Sequence, residues 1–217
     1  MEKEKLHYNT ITPLLHNVLK TLMKAPEFNS FRLVGGTALS LQLGHRKSVD
    51  IDMFTDATYK SIDFKAMDTF LRRHYTYVDT SKIEPVGMGR SYFIGKSQND
   101  SIKLDLFYTD KYIKQVLLID SIRMATSGEI IAMKLDVILR TGRKKDFWDI
   151  HELMDKYSFK EMLDLHKKRY PYTHDAKLIK KKFTDFTEAD QDFDPICLRG
   201  KIWELIKLDM IDFVSWV

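Results

Sequence analysis

With 217 residues and 44% hydrophobic content, the chain has room for one large domain or two small ones and ample material for a buried core. A balance of 35 basic against 31 acidic residues leaves a formal charge of +4, too mild to announce nucleic acid by itself. One cysteine, Cys197, excludes an internal disulfide framework and a cysteine-built zinc site and fits a reducing cytoplasm, while the lack of an apolar signal core or of any run near ~18 apolar residues argues against export and membrane insertion.

In chain order, Thr12 before Pro13 predicts a helix start, and Leu14, Leu15, Val18, Leu19, Leu22 and Met23 recur at helical spacing until Pro26. A strand, a glycine turn, a short helix and a second strand follow over residues 31–54. An apolar strand ending in Gly35-Gly36-Thr37 offers bare backbone N–H groups and a hydroxyl at a helix start, a ready place for phosphate. In the next strand Asp50 and Asp52 alternate with Val49, Ile51 and Met53, so a period of two sets both carboxylates on one sheet face. Two acids so close repel unless a cation lies between them, and oxygen-only ligands suit magnesium.

Residues 63–75 read as an amphipathic helix through Phe64, Met67, Phe70 and Leu71. Short strands over 75–78, 82–86, 91–94 and 102–107 then imply an antiparallel meander. In the last of these Ile102, Leu104 and Leu106 alternate with Lys103, Asp105 and Phe107. Asp105 can complete the acid pair, since two cations about 3.5–4 Å apart need bridging and terminal oxygens. A surface acid on an edge strand fits the same alternation.

From Thr126 the pattern turns helical, with Thr126-Ser127-Gly128-Glu129 reading as a capping box, and the domain boundary is placed here: 1–125 and 126–217. At ~100° per residue Lys134 falls in the middle of an apolar face. An unpaired buried ammonium is costly, so it reaches a protein carboxylate or a bound triphosphate, or else snorkels at the rim. Asp146 repeats the anomaly on the face carrying Ile150, Leu153, Met154 and Tyr157, with Asp149 at that face's edge; a helix-start carboxylate is the plain alternative. Arg140, Arg143, Lys144 and Lys145 crowd positive charge beside it.

Ser158 to Glu161 forms another capping box. Lys167, Lys168, Arg169, Lys177, Lys180, Lys181 and Lys182 make the strongest candidate for a nucleic-acid surface, though charged helix faces are commonly just solvated. Asp185, Glu188, Asp190, Asp192 and Asp194 form an acidic loop closed by Pro195. A last helix over 201–217 is expected to turn Ile202, Leu205, Ile206, Met210, Phe213 and Val214 inward, with Trp203 and Trp216 as anchors.

Gly35-Gly36-Thr37, then Gly44-His45-Arg46-x-Ser48-x-Asp50-x-Asp52-x-Phe54, then Lys103-Leu104-Asp105-Leu106-Phe107, Ile131-Ala132-Met133-Lys134-Leu135-Asp136-Val137 and Lys145-Asp146-Phe147-Trp148-Asp149-Ile150 form an ordered set. In that order, across roughly residues 30 to 155, they resemble the AbiEii/AbiGii abortive-infection toxin family of nucleotidyltransferases, in the DNA polymerase β-like superfamily. The resemblance implies an α+β fold, with a mixed or antiparallel sheet and flanking helices followed by a helical C-terminal domain, and a cleft between the two.

It also implies attack of an acceptor hydroxyl on the α-phosphate of a nucleoside triphosphate (NTP). Asp50, Asp52 and Asp105 would hold two Mg2+ ions, Asp105 beside the attacking oxygen. Gly35, Gly36 and Thr37 would grip the β- and γ-phosphates, Lys134 would neutralise the triphosphate, and Asp146 would orient Lys134 or the nucleotide. Family members are toxins with a separate antitoxin, some modifying tRNA 3′ ends, which would set the basic stretch of residues 167–182 against tRNA and the acidic loop from Asp185 against the antitoxin. Transfer to a protein hydroxyl and a catalytically silent binding module are the alternatives. No Gly-x-x-x-x-Gly-Lys-Ser/Thr or His-Glu-x-x-His pattern occurs, Gly87-Met88-Gly89 stops short of a dinucleotide fingerprint, and the antiparallel run disfavours aspartyl phosphatases and glycosyltransferases.

Overall fold

The structure is a computed structural model that describes residues 5–80 and 87–215. Helix α1 (Pro13–Lys24) opens as its residues require: the Thr12 hydroxyl accepts the Leu15 N–H at 3.1 Å, and Pro13 stands where a missing N–H costs nothing. Its buried stripe of Leu15, Val18, Leu19 and Leu22 packs on the sheet. Strand β1 (Arg32–Leu33) leads into α2 (Gly35–Leu43), and Gly44 ends that helix at φ +70°, a left-handed conformation that glycine adopts without strain. Strand β2 (Ile51–Thr55) returns antiparallel to β1, and α3 (Phe64–His74) follows, capped by the Asp63 side chain on the Ala66 N–H at 2.9 Å.

The meander is present as β3 (Tyr77–Thr80), β4 (Gly89–Ser97) and β5 (Asp100–Tyr108), each antiparallel to the next; the strand expected over 82–86 lies outside the described residues. Strand β5 then runs parallel to β2. A hairpin that hydrophobic alternation does not reveal, β6 (Leu117–Ile119) and β7 (Ile122–Met124), turns on Asp120 and Ser121 at φ 51° and 64°. Both residues adopt the positive φ of a two-residue hairpin turn without the glycine that normally signals one. Strand β7 lies parallel to β1, which gives a seven-stranded mixed sheet in the order β3-β4-β5-β2-β1-β7-β6.

Beyond β7 the chain is helical: α4 (Ser127–Thr141), α5 (Lys144–His151), α6 (Phe159–Arg169), α7 (Ala176–Phe183) and α8 (Trp203–Ser215). The change at residue 126 coincides with the junction of β7 and α4, yet one cluster of buried apolar side chains extends from Leu6 to Val214, so the helical lobe shares its core with the sheet. Among the described residues no helix is long and apolar enough to cross a membrane.

Several expectations change at this level. The Ser158–Glu161 capping box is complete, but only half of the Thr126 box forms: Thr126 accepts the Glu129 N–H at 3.3 Å, while the Glu129 carboxylate turns inward. There it accepts the N–H groups of Ile113 and Lys114, both at 3.0 Å, and pairs with Arg169. Arg169 is therefore buried, donating also to Thr109 Oγ1 at 2.8 Å and to the Lys111 carbonyl at 3.2 Å, and it leaves the basic surface on which the sequence counts it. Of the residues expected to face inward over 201–217, Trp203, Ile206, Met210 and Val214 are buried and Phe213 is half-buried, whereas Ile202 and Leu205 are exposed together with Leu208 and Ile211; Trp216 lies outside the described residues. The acidic loop is largely engaged internally. Asp185 pairs with Lys182, Asp190 accepts from Trp203 Nε1 and Lys207, and Asp192 and Asp194 hold the backbone N–H and ammonium of Lys144.

Glu129→Ala strands the buried Arg169 guanidinium, so it should lower the unfolding free energy by about 3–5 kcal/mol in urea titration. Adding Arg169→Met should recover part of that loss, because the uncompensated charge goes with it.

Candidate active site

Parallel pairing of β2 with β5 sets Asp52 and Asp105 directly opposite each other in register, so both carboxylates leave the same sheet face. Asp50 stands one residue before β2 rather than within it, at the half-exposed mouth of the same cleft. Burial first, then the charges of Asp105 and Asp50, push the Asp52 pKa up to about 6, against the pull of Lys134 and Lys145. Asp105 receives Lys103 Nζ on Oδ2 at 2.6 Å, while its Oδ1 is buried without a hydrogen-bond partner. Lys145 Nζ lies 3.9 Å from Asp50 Oδ2. An acid driven toward its proton and an unsatisfied carboxylate oxygen are both relieved by a hard cation, so the donor set fits a divalent ion such as magnesium. In the present geometry no group of three His, Cys, Asp or Glu among the described residues is spaced as a finished cage.

The glycine turn faces these acids. Gly35 has φ +65°, and a Cβ there would lie 2.8 Å from Asp52 Oδ2, so glycine is what lets the backbone approach the carboxylate. A Cβ on Gly36 would collide with Arg46 Nη2. Thr37 departs from expectation. It is buried, donates its hydroxyl proton to the Asp50 carbonyl and lies 2.7 Å from Ser48 Oγ. Its proton is therefore unavailable to a phosphate, and the residue holds the entry of β2 in place.

Across the cleft Lys134 is buried as its place on the apolar face demands, with Nζ 2.5 Å from Asp146 Oδ1 and 2.7 Å from Asp149 Oδ2. Asp149 is the centre of this group. It also receives Arg46 Nε at 2.6 Å and Nη2 at 2.8 Å, and His45 Nε2 at 2.8 Å. Burial opposes ionisation of Asp149, but Lys134 and Arg46 hold its pKa well below the usual carboxylate range. Burial is likewise outweighed at Asp146, lowered by Lys134 and Arg143. Two anions meet two cations, the condition under which buried charge is tolerated.

Of the basic link, Arg143 and Lys145 line the cleft, Lys144 turns away to Asp194 at 2.9 Å, and Arg140 pairs with Asp136 on the outer side. His45 and Arg46 carry no role in the motif as the sequence presents it, and Asp149 stands only at the edge of its helical face. The available signal was charge balance: Asp146 and Asp149, one helical turn apart on a buried face, need two cations, and Lys134 is only one.

A mixed sheet that offers carboxylates from parallel-paired strands to a cleft, opposite a Gly-Gly turn and a buried lysine, defines a nucleotidyltransferase. Solved structures show the same fold: a Helicobacter pylori protein described as a nucleotidyltransferase aligns with TM-score 0.61 at 21% identity, covering 94% of this chain and 91% of that one. The nucleotidyltransferase toxin MenT4 of Mycobacterium tuberculosis aligns with TM-score 0.50 at 12% identity, covering 92% and 80%. The family model for the nucleotidyl transferase AbiEii toxin of type IV toxin–antitoxin systems matches residues 17–213, and the chain belongs to that family. An uncharacterised Aquifex aeolicus protein is 31% identical over 174 residues, 76% of this chain and 77% of that protein.

Because the folded pKa of Asp52 is raised from 3.8 to about 6, its contribution favours folding below pH ~4 and is lost as pH rises through ~6. Asp52→Asn should therefore stabilise the metal-free protein by about 3 kcal/mol at pH 8, a gain that shrinks toward pH 4 in chemical denaturation measured across pH.

Proposed function

We propose that the chain moves a nucleotide from an NTP to an acceptor hydroxyl, the 3′ end of tRNA being the favoured acceptor. The carrying observation is the register pairing of Asp52 with Asp105 on one sheet face, with Asp105 Oδ1 left without a hydrogen-bond partner. Asp50, Asp52 and Asp105 would hold two magnesium ions, which supply charge neutralisation at the α-phosphate and ease loss of the hydroxyl proton. Asp105 stands beside the attacking oxygen and helps to draw off that proton. The hydroxyl oxygen bonds to the α-phosphorus as the bond to the bridging oxygen breaks, and pyrophosphate leaves.

The N–H groups of Gly35 and Gly36, in the first turn of α2, face the β- and γ-phosphates. Lys134 has three N–H donors, and Asp146 and Asp149 hold two of them. The third is free to meet the triphosphate, at an angle that the two carboxylates fix. Asp146 thus acts on the nucleotide through Lys134, while Arg143 and Lys145 add charge at the mouth. Exposed Lys167, Lys168, Lys177 and Lys181 remain as the tRNA-facing surface after the loss of Arg169. Family membership supports a separate antitoxin.

Each labelled NTP, incubated with magnesium and either bulk tRNA or cell lysate, should leave label in tRNA with the wild type. Asp50→Ala should reduce that label by about 10³-fold or more. Label in protein instead would move the acceptor to a protein hydroxyl. Absence of label together with absence of magnesium-dependent nucleotide binding would leave only a silent module.

A further inference from the structure

A second cavity of ≈ 380 Å³ opens off the catalytic cleft, and Phe54, Met133 and Val137 line both. The two spaces follow adjacent stripes of α4. Ile130, Met133, Lys134 and Val137 border the first, and Met133, Asp136, Val137 and Arg140 border the second. On the sheet side Phe54 occupies the next alternate position after Asp50 and Asp52, so the second cavity begins where the row of acids ends.

Its remaining walls are Met88, Tyr108, Thr109, Asp110 and Tyr170. Five of the lining side chains are flat or soft, largely apolar, and incompletely used by the core, since Met88 is 57% exposed and Phe54, Met133, Val137 and Tyr170 are only half-buried, while Thr109 and Asp110 add polar groups on one side. At the edge stands the Arg140 guanidinium, steadied by the Asp136 carboxylate one turn earlier in α4. Aromatic and thioether plates with a guanidinium at the rim match a flat ring that has a π face and a hydrogen-bonding edge.

We propose that this slot holds a nucleobase. The inference rests on the nucleotidyl-transfer reading, which sets phosphates between Gly35 and Lys134 and the reacting centre at the acids. The base then extends past Phe54. It belongs either to the incoming nucleotide or to the terminal nucleotide of the acceptor, and Phe54, Met133 and Tyr170 determine how well each base stacks.

Met88→Trp fills the slot from an exposed position, and Tyr170→Ala removes one wall. Calorimetric titration of the full-length chain with magnesium should compare the four ribonucleoside triphosphates with inorganic tripolyphosphate, which has no base. With the base of the incoming nucleotide in the slot, Met88→Trp weakens at least one NTP about tenfold and leaves tripolyphosphate unchanged, and Tyr170→Ala alters the ranking of the four. With the acceptor's base there, NTP binding holds while the tRNA concentration for half-maximal transfer rises about tenfold. Unchanged NTP binding with unchanged tRNA dependence overturns the inference while leaving nucleotidyl transfer intact. Equal weakening of NTP and tripolyphosphate also overturns it, because the effect then lies with the phosphates. A wild type that binds neither removes the transfer reading and this inference with it.

Discussion

Asp149 holds the molecule's working parts in relation to one another. It lies on α5, yet its two oxygens take Arg46 and His45 from the segment between α2 and β2, and Lys134 from α4. Each partner is buried, and buried charge is tolerated only when a counter-charge and hydrogen bonds answer it. The segment that leads into the acid-bearing strand, the lysine helix and the start of α5 are therefore fixed by one set of ionic contacts. Gly36 is part of the same constraint, since its missing side chain leaves the space in which the Arg46 guanidinium lies.

The cleft has two electrostatic halves. On the helical side Asp146, Asp149, Lys134 and Arg46 sum to zero and pair with one another. On the sheet side Asp50, Asp52 and Asp105 outnumber their near neighbours Lys103 and Lys145, one carboxylate is driven toward its proton, and one oxygen has no partner. The first half is balanced in charge as it stands, whereas the second carries an excess of negative charge that a cation would relieve. Such an imbalance in a folded protein is characteristic of a site that works on charge brought from outside.

Much of this was legible from residue order alone because period and charge left few choices. Alternation around Asp50, Asp52 and Asp105 fixes which face they share, and parallel pairing of β2 with β5 supplies the register. Lys134 on an apolar face left a protein carboxylate, a bound triphosphate or the rim as its destination, and Asp146 supplies the first of these. What stayed hidden depends on distant segments. Arg169 reads as surface until the loop after β5 folds onto it, and the Thr37 hydroxyl reads as free until the Asp50 carbonyl comes within reach. The hairpin of β6 and β7 escaped because its strands are three residues each and its turn carries no glycine.

The single apolar cluster beneath both lobes bears on how the cleft is used. Lobes joined only by a linker can open and shut around a ligand, but here the floor is continuous and the far wall is riveted by ions. Opening the gap would break that shared core or those ion pairs, which favours a ligand meeting a frame already in shape and keeps down the ordering cost charged against its affinity. Discrimination then rests on which molecules match the outline and charge of that frame.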